Sequence, residues 1–175
     1  MRLHLVDRSA DLVREWELAF RPFPEVVIER ADILKSAHTA LVSPANSYGY
    51  MNGGIDLAYR TFFGIQIEHI VQRRIKEVAG AYLPVGHAIL VETSHPRIPF
   101  LISAPTMFIP EPIDAENCQA ATSAALNLAL EHRGEWEAVF CPGMGTGVGR
   151  LPPQSAARAM AEAYGAVSAE WSVNP

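Results

Sequence analysis

The sequence contains very little cysteine and no long hydrophobic run. Its 175 residues include two cysteines, Cys118 and Cys141, which are too few for a disulfide framework and fit a reducing compartment. Cys141 ends an apolar run, so we expect it to be a buried side chain rather than a nucleophile. No apolar stretch approaches the roughly 20 residues that a bilayer-spanning helix needs, and charges at Arg2 and Asp7 disfavour a signal peptide. We therefore expect a cytoplasmic protein with no membrane contact.

Positive charge and metal-binding patterns are also scarce. The formal net charge is −5, which argues against non-specific binding to nucleic acid. No two of the six histidines are four residues apart, so a zinc site is not expected, and no motif requires a cofactor. A small anionic ligand is compatible with this charge, because backbone N–H groups at helix N-termini can hold an anion without lysine.

Apolar residues are abundant by contrast, and their spacing alternates between strand-like and helix-like. They make up 49% of the chain, enough for the core of a single domain over residues 1–175. Several predicted strands are continuous apolar runs, which is typical of strands buried on both faces. The pattern predicts an α/β fold, a three-layer α/β/α sandwich with a mixed, mainly parallel sheet of about six strands. These strands are predicted at 2–7, 25–29, 39–42, 87–91, 100–103 and 137–141.

Two glycine-rich loops follow predicted strands at the edge of the sheet where ligands usually bind. Such ligands lie beyond the carboxyl ends of the strands, and the loops there cover 52–54 and 143–149. Glycine lets backbone amides approach a phosphate closely. Either loop alone is explained equally well as a turn, whereas the two together could clamp a diphosphate. Neither a P-loop motif nor G-x-G-x-x-G after the first strand is present.

The two loops lie within motifs that resemble those of the macrodomain family. The stretch ALVSPANSYGYMNGGID at 40–56 is similar to the family signature IVNAANSxLxGGGGVD, and CPGMGTGVGRLPPQSAA at 141–157 is similar to PAISTGVYGYPxxxAA. ERADILK at 29–35 resembles the family's GDIT loop. The similarity covers roughly residues 25–165 in the family's order. This similarity implies the macrodomain fold and ADP-ribose binding. Within the family, the sequence resembles the hydrolase (Appr-1″-p processing) branch.

The resemblance implies ligand-binding roles for three segments. Asp32 matches the aspartate that accepts a hydrogen bond from the adenine amino group, and Ile33 is its neighbour. The same Asp32 could instead cap a short helix. The first phosphate loop would be Gly53, Gly54 and Ile55, and the second would be Gly145, Thr146, Gly147, Val148 and Gly149.

Two polar residues of the first motif are the implied catalytic pair. Asn46 matches the asparagine beside the distal ribose, and Asp56 matches the carboxylate that hydrolytic members carry after the first phosphate loop. The alternative for Asn46 is a turn residue that bonds to its own loop. The alternative for Asp56 is a carboxylate at a helix N-terminus, favourable by ~0.3–1 kcal/mol without any catalysis.

The motifs depart from the family pattern at two positions near the distal ribose. Ser43 stands where the family has its first asparagine, and Gly149 stands where it has an aromatic residue that covers the ribose. Tyr48, Tyr50 and Arg150 are candidates to replace that ring. A wider or differently shaped distal pocket is therefore expected.

The first strand is unusual for this family. Macrodomains usually end with a strand after the last helix, whereas LHLVDRSADLVREWELAF at 3–20 resembles that strand and its tail. We hypothesise that the first strand fills the sheet position of the usual last one, beside the sixth strand and parallel to the second. Asp7 and Arg8 would then lie at the adenine end of the ligand.

The expected function is binding of ADP-ribose and hydrolysis of an ADP-ribosyl linkage, of the acceptor-hydrolase or O-acetyl-ADP-ribose deacetylase type. Asp56 would position or activate the attacking water. Two alternatives stay open: a non-catalytic ADP-ribose-binding module, and a nucleotide-binding domain for another metabolite. The expected partner is ADP-ribose or an ADP-ribosylated substrate, with nucleic acid considered only as an ADP-ribosylated acceptor.

Overall fold

The computed structural model describes residues 1–172, which form six strands and six helices. The strands are β1 (Arg2–Asp7), β2 (Val27–Arg30), β3 (Ala40–Ser43), β4 (Ile89–Glu92), β5 (Phe100–Ser103) and β6 (Ala138–Cys141). The helices are α1 (Ala10–Ala19), α2 (Ile33–Ser36), α3 (Gly54–Phe63), α4 (Gln66–Ala79), α5 (Ala115–Leu130) and α6 (Pro153–Ser172).

All six strands belong to one sheet in the order β2-β1-β6-β3-β5-β4. Every neighbouring pair is parallel except β4 and β5, which are antiparallel. The expected mixed, mainly parallel sheet is confirmed. β1 lies between β2 and β6 and is parallel to both, with Leu5 opposite Ile28 on one side and Cys141 on the other. This is the sheet position that the hypothesis about the first strand requires.

Helices cover both faces of the sheet, as the continuous apolar strands predict. Leu41 faces the layer that contains α2, α3 and α4, whereas Val42 faces the layer that contains α1, α5 and α6. Both side chains are fully buried. The two cores are separated by the sheet itself, and the three-layer α/β/α sandwich is confirmed.

Two strands begin two residues later than their apolar runs predict, and two more, β3 and β6, begin one residue later. The N–H of Val26 donates to the Phe23 carbonyl, so a turn takes up the first residues of the run and β2 begins only afterwards. The N–H of His87 donates to the Pro84 carbonyl with the same consequence for β4. In both cases a local turn competes with the ladder for the same backbone groups.

The sequence predicts no membrane-spanning helix, no metal site and no nucleophilic cysteine. No helix within residues 1–172 has the length and apolar character needed to cross a bilayer. No group of three or more His, Cys, Asp or Glu side chains there is placed to hold a metal ion. Both cysteines are buried and free, and burial raises the pKa of each thiol, which disfavours the nucleophilic thiolate.

Candidate functional site

One cleft opens where the parallel strands end. It encloses about 740 Å³, within the range of roughly 300–1,000 Å³ that is usual for small-molecule sites. Its walls are the loops that follow β1, β2, β3, β5 and β6. These five strands belong to one sheet and end at the same edge of it. The residues that the sequence motifs implied all border it: Arg8, Asp32, Ile33, Asn46, Gly53, Gly54, Ile55, Asp56, Gly145, Thr146, Gly147, Val148 and Gly149.

The first glycine loop ends in the N-terminus of α3. Gly53 is the N-cap and has no side chain to satisfy the helix amides. The N–H groups of Gly54, Ile55 and Asp56 belong to the first turn, where no intrahelical acceptor exists, and no other acceptor serves them within residues 1–172. Free amides and the positive end of the helix dipole favour an anion at this point.

The second glycine loop presents another set of free amides. Across residues 145–149, no backbone N–H has an acceptor among the described residues. Gly145 reverses the chain with a φ of 78°, where a side chain would also overlap Ile113. Val148 reaches the first loop, since a Cβ on Gly54 would lie 3.4 Å from Val148 Cγ2. The two sets of free amides therefore border the same section of the cleft.

Gly149 has no room for the aromatic side chain that the family carries there. A Cβ on Gly149 would lie 2.5 Å from the carbonyl oxygen of Gly145. Of the three candidate replacements, only Tyr50 borders the cleft, with 51% of its surface exposed. Tyr48 packs beside it with 6.2 Å between ring centroids, and Arg150 lies outside the cleft walls.

Asp32 and Arg8 form an ion pair at the end of the cleft that is nearest β1 and β2. Arg8 Nη2 donates to Asp32 Oδ2 at 2.6 Å, and the N–H of Leu34 donates to Asp32 Oδ1 at 3.2 Å. Slight burial raises the pKa of Asp32, but the hydrogen bonds from Arg8 and Leu34 outweigh it and the net pKa is lowered. Asp32 therefore caps α2 and stays ionised, and it borders the cleft while doing so.

The side-chain amide of Asn46 makes its hydrogen bonds within its own loop. Its Oδ1 accepts from the N–H groups of Tyr48 and Tyr50, at 3.1 and 3.2 Å, and its Nδ2 donates to the Tyr50 carbonyl at 2.7 Å. This is the turn role that the sequence left open. One N–H of the amide stays available, since each side-chain amide carries two donors.

Asp56 is a buried carboxylic acid in the first turn of α3. It is 6% exposed, and Ser43 Oγ donates to its Oδ1 at 2.6 Å. Burial raises the pKa of Asp56 to about 7, the Ser43 hydrogen bond opposes this, and Glu68 adds to it. A carboxyl group that titrates near neutrality at the wall of a cleft is suited to accepting a proton from water.

Part of the cleft wall comes from the end of β1 and from the loop after β5. Asp7 Oδ2 accepts from the N–H of Gly143 at 3.3 Å, which ties the end of β1 to the second glycine loop. Met107 and Pro110 complete the wall from the loop after β5. The carbonyl of Met107 accepts from the N–H of Ser47 at 2.9 Å. The one sequence feature that could have indicated a role of this loop in the cleft wall is its position after a buried strand.

Comparisons with known proteins identify the fold and its sequence relatives. Residues 42–160 match the model of the family described as Macro domain. A protein of Aquifex aeolicus that is described as uncharacterized is 37% identical over 139 residues, which cover 79% of each chain. An uncharacterized protein of Aeropyrum pernix is 35% identical over 147 residues, covering 83% of this chain and 74% of the relative.

Solved structures show the same architecture at lower sequence identity. The macrodomain of Mycobacterium tuberculosis DarG superposes with a TM-score of 0.66 at 20% identity, covering 78% of this chain and 88% of the other. A variant of the Oceanobacillus iheyensis macrodomain with ADPR gives a TM-score of 0.67 at 22% identity, covering 82% and 77%. At these identities the likeness concerns the fold.

Proposed function

The chain belongs to the macrodomain family, and on that premise we propose that it binds ADP-ribose in the cleft and hydrolyses an ADP-ribosyl linkage there. The observation that carries the proposal is the pairing of free amides with a buried acid. Two sets of unpartnered N–H groups, at 54–56 and 145–149, border one section of the cleft. Asp56 lies at the end of the first set.

The amides supply the binding part of the proposal. A diphosphate placed between the two loops would receive hydrogen bonds that are otherwise unmade and would sit at the N-terminus of α3. The adenosine would then extend toward Asp32 and Arg8, and the distal ribose toward Asn46 and Tyr50. The solved macrodomain of Oceanobacillus iheyensis with ADPR supports this ligand. A micromolar dissociation constant, about −7 to −9 kcal/mol, is expected.

Asp56 supplies the chemistry. Its carboxylate accepts a proton from a water molecule while the water oxygen bonds to the anomeric carbon of the distal ribose. The bond from that carbon to the acceptor breaks, and the acceptor leaves with the electron pair. Only the ionised carboxylate can take the proton, so turnover rises with pH through about 7, the pKa of Asp56.

A binding module without turnover is the second candidate, and the state of Asn46 favours it. Three hydrogen bonds hold its amide within the 46–50 loop. An asparagine held in this way still shapes the cleft for ADP-ribose but is less free to orient the distal ribose for attack.

Two measurements test the proposal. Calorimetry with ADP-ribose tests binding, and the absence of heat at millimolar ligand would exclude the pocket assignment. Incubation with a panel of ADP-ribosylated acceptors, with released ADP-ribose as the readout, tests hydrolysis.

Asp56→Asn is the matched variant for the hydrolysis assay. It should reduce turnover by at least ~100-fold because no base remains, while ADP-ribose affinity stays close to that of the unmodified protein because the amides remain. Full turnover by Asp56→Asn would show that the pocket is right and the mechanism wrong. A failure of the unmodified protein to cleave any acceptor, with binding intact, would favour the binding module.

A further inference from the structure

Ser43 is the hydrogen-bond donor to the buried carboxyl group of Asp56. It is the last residue of β3, is 2% exposed, and is separated from Asp56 by the entire first glycine loop. The 2.6 Å contact from Ser43 Oγ to Asp56 Oδ1 therefore joins the end of a central strand to the first turn of α3. No other side-chain donor reaches Asp56 within residues 1–172.

The charged surroundings of Asp56 make this donor important. Glu68 on α4 raises the pKa of Asp56 in addition to burial. Arg60 on α3 lies 3.3 Å from Glu68 Oε2, which also accepts from the N–H of Met51 at 2.6 Å. Arg60, one turn along α3 from Asp56, is thus paired with another acid. Asp56 raises the pKa of Tyr59, which donates to the carbonyl of Val42 and stays neutral.

We propose that Ser43 is a positioning residue of the site, whose hydroxyl holds the Asp56 carboxyl group in one orientation at the cleft wall and stabilises its anion. A charge-assisted hydrogen bond of this length favours the ionised form of the acceptor. Without it, burial and Glu68 would act unopposed, and Asp56 would stay protonated at neutral pH. The role of Asp56 in turnover rests on the proposed function, whereas the effect of Ser43 on its ionisation does not.

Ser103 provides a matched control. It is the partner of Ser43 in the β3–β5 register, is 1% exposed, and its Oγ has no hydrogen-bond partner among the described residues. Neither Ser43 nor Ser103 is part of the cleft lining. Ser43→Ala and Ser103→Ala therefore delete the same atom from neighbouring buried positions, and only the first deletion removes a donor from Asp56.

The first measurement is the titration of the Asp56 side-chain carboxyl carbon by NMR, in the protein without ligand. Ser43→Ala should raise the titration midpoint by about one pH unit. Ser103→Ala should leave the midpoint in place, and Ser43→Thr, which keeps a hydroxyl, should stay close to the unmodified protein. An unchanged midpoint in Ser43→Ala, or an equal shift in Ser103→Ala, would overturn the proposal.

The second measurement separates this inference from the proposed function. If an acceptor is cleaved, Ser43→Ala should shift the pH–rate profile to higher pH by the same amount. The ADP-ribose affinity should change by less than about twofold at fixed pH. A loss of turnover that is equal at every pH would contradict the inference. If no acceptor is cleaved, the carboxyl titration still decides the role of Ser43, so the two proposals can fail independently.

Discussion

At the residue scale, the environment of Asp56 ties protonation to stability. An aspartate in an unfolded chain titrates near 3.8, whereas burial raises the pKa of Asp56 to about 7 in the folded protein. The folded state therefore binds the proton more tightly than the unfolded state. Asp56 is compatible with folding while protonated, and its ionisation opposes folding progressively as the pH rises from about 4 to about 7.

This linkage predicts that the unmodified protein loses stability relative to Asp56→Asn between pH 4 and pH 8. The upper limit of the change is on the order of 4 kcal/mol, from the difference between the two pKa values. Urea unfolding of both proteins at pH 4.5 and at pH 8 measures this change, provided that the dependence of the unfolding free energy on urea concentration is the same for both proteins. If the stability difference between the two proteins is the same at both pH values, Asp56 titrates normally and is more accessible to water than the structure has it.

Gly147 is the residue of the second glycine loop at which a side chain tests binding without strain. Nothing lies within 4 Å of a Cβ built there, and unlike Gly145 it does not have a positive φ. A substitution in the left-handed region costs about 1–2 kcal/mol, and this cost applies to Gly145, with its φ of 78°, and not to Gly147.

Gly147→Glu should therefore abolish ADP-ribose binding with little loss of stability. Its carboxylate would occupy the space beside the free amides and repel a diphosphate. Gly147→Ala is the control, because it adds a methyl group but no charge. Calorimetry on both variants measures ADP-ribose binding, and thermal melts measure their stability. Retention of binding by Gly147→Glu would place the diphosphate elsewhere.

At the element scale, the short helix α2 depends on a residue at the proposed adenine end of the cleft. Asp32 caps α2 and pairs with Arg8, so the same carboxylate shapes the loop and borders the cleft. Substitution of such a cap costs about 0.5–2 kcal/mol. A structural and a ligand-binding role therefore have to be separated by the choice of ligand.

Asp32→Ala should weaken ADP-ribose more than ribose 5-phosphate, which has no adenine to lose. The lost hydrogen bond from the adenine amino group to a carboxylate is worth on the order of 1.5–3 kcal/mol. Asp32→Asn serves as the control, since it keeps an acceptor for the Leu34 amide but removes the charge. Equal losses for both ligands in Asp32→Ala would mean that the side chain only shapes the loop.

At the scale of the whole molecule, β1 connects both core layers to the cleft. It lies inside the sheet between β2 and β6, and its end supplies Asp7 and Arg8 to the cleft wall. Residues near the beginning of the chain are therefore as central to this fold as those of β3 and β6.

Leu5→Ala should accordingly destabilise the protein by about 2–5 kcal/mol, as expected for a leucine deleted from a packed core. Leu5 is 1% exposed, whereas Leu18 in α1 is 46% exposed. Leu18→Ala is the matched control and should change stability by less than about 0.5 kcal/mol. Similar midpoints of urea unfolding for the two variants would show that β1 contributes little to the core.

The sequence alone determined the fold class, the family and most of the cleft wall, because these depend on local patterns. Continuous apolar runs require burial on both faces, and glycine loops after such runs lie at one edge of a parallel sheet. Periodicity could not place the strand boundaries at β2 and β4, since a turn and a ladder compete there for the same amides.

Only the tertiary structure decided which side chains interact. It joined Ser43 to Asp56, Arg8 to Asp32 and Asp7 to Gly143. Each of these contacts crosses from one strand end to another element, and sequence spacing carries no information about such distances. The pKa of Asp56 is likewise a tertiary property, because burial and Glu68 on another helix set it. A carboxylate in the sequence becomes a group that titrates near neutrality only once the chain has removed it from water.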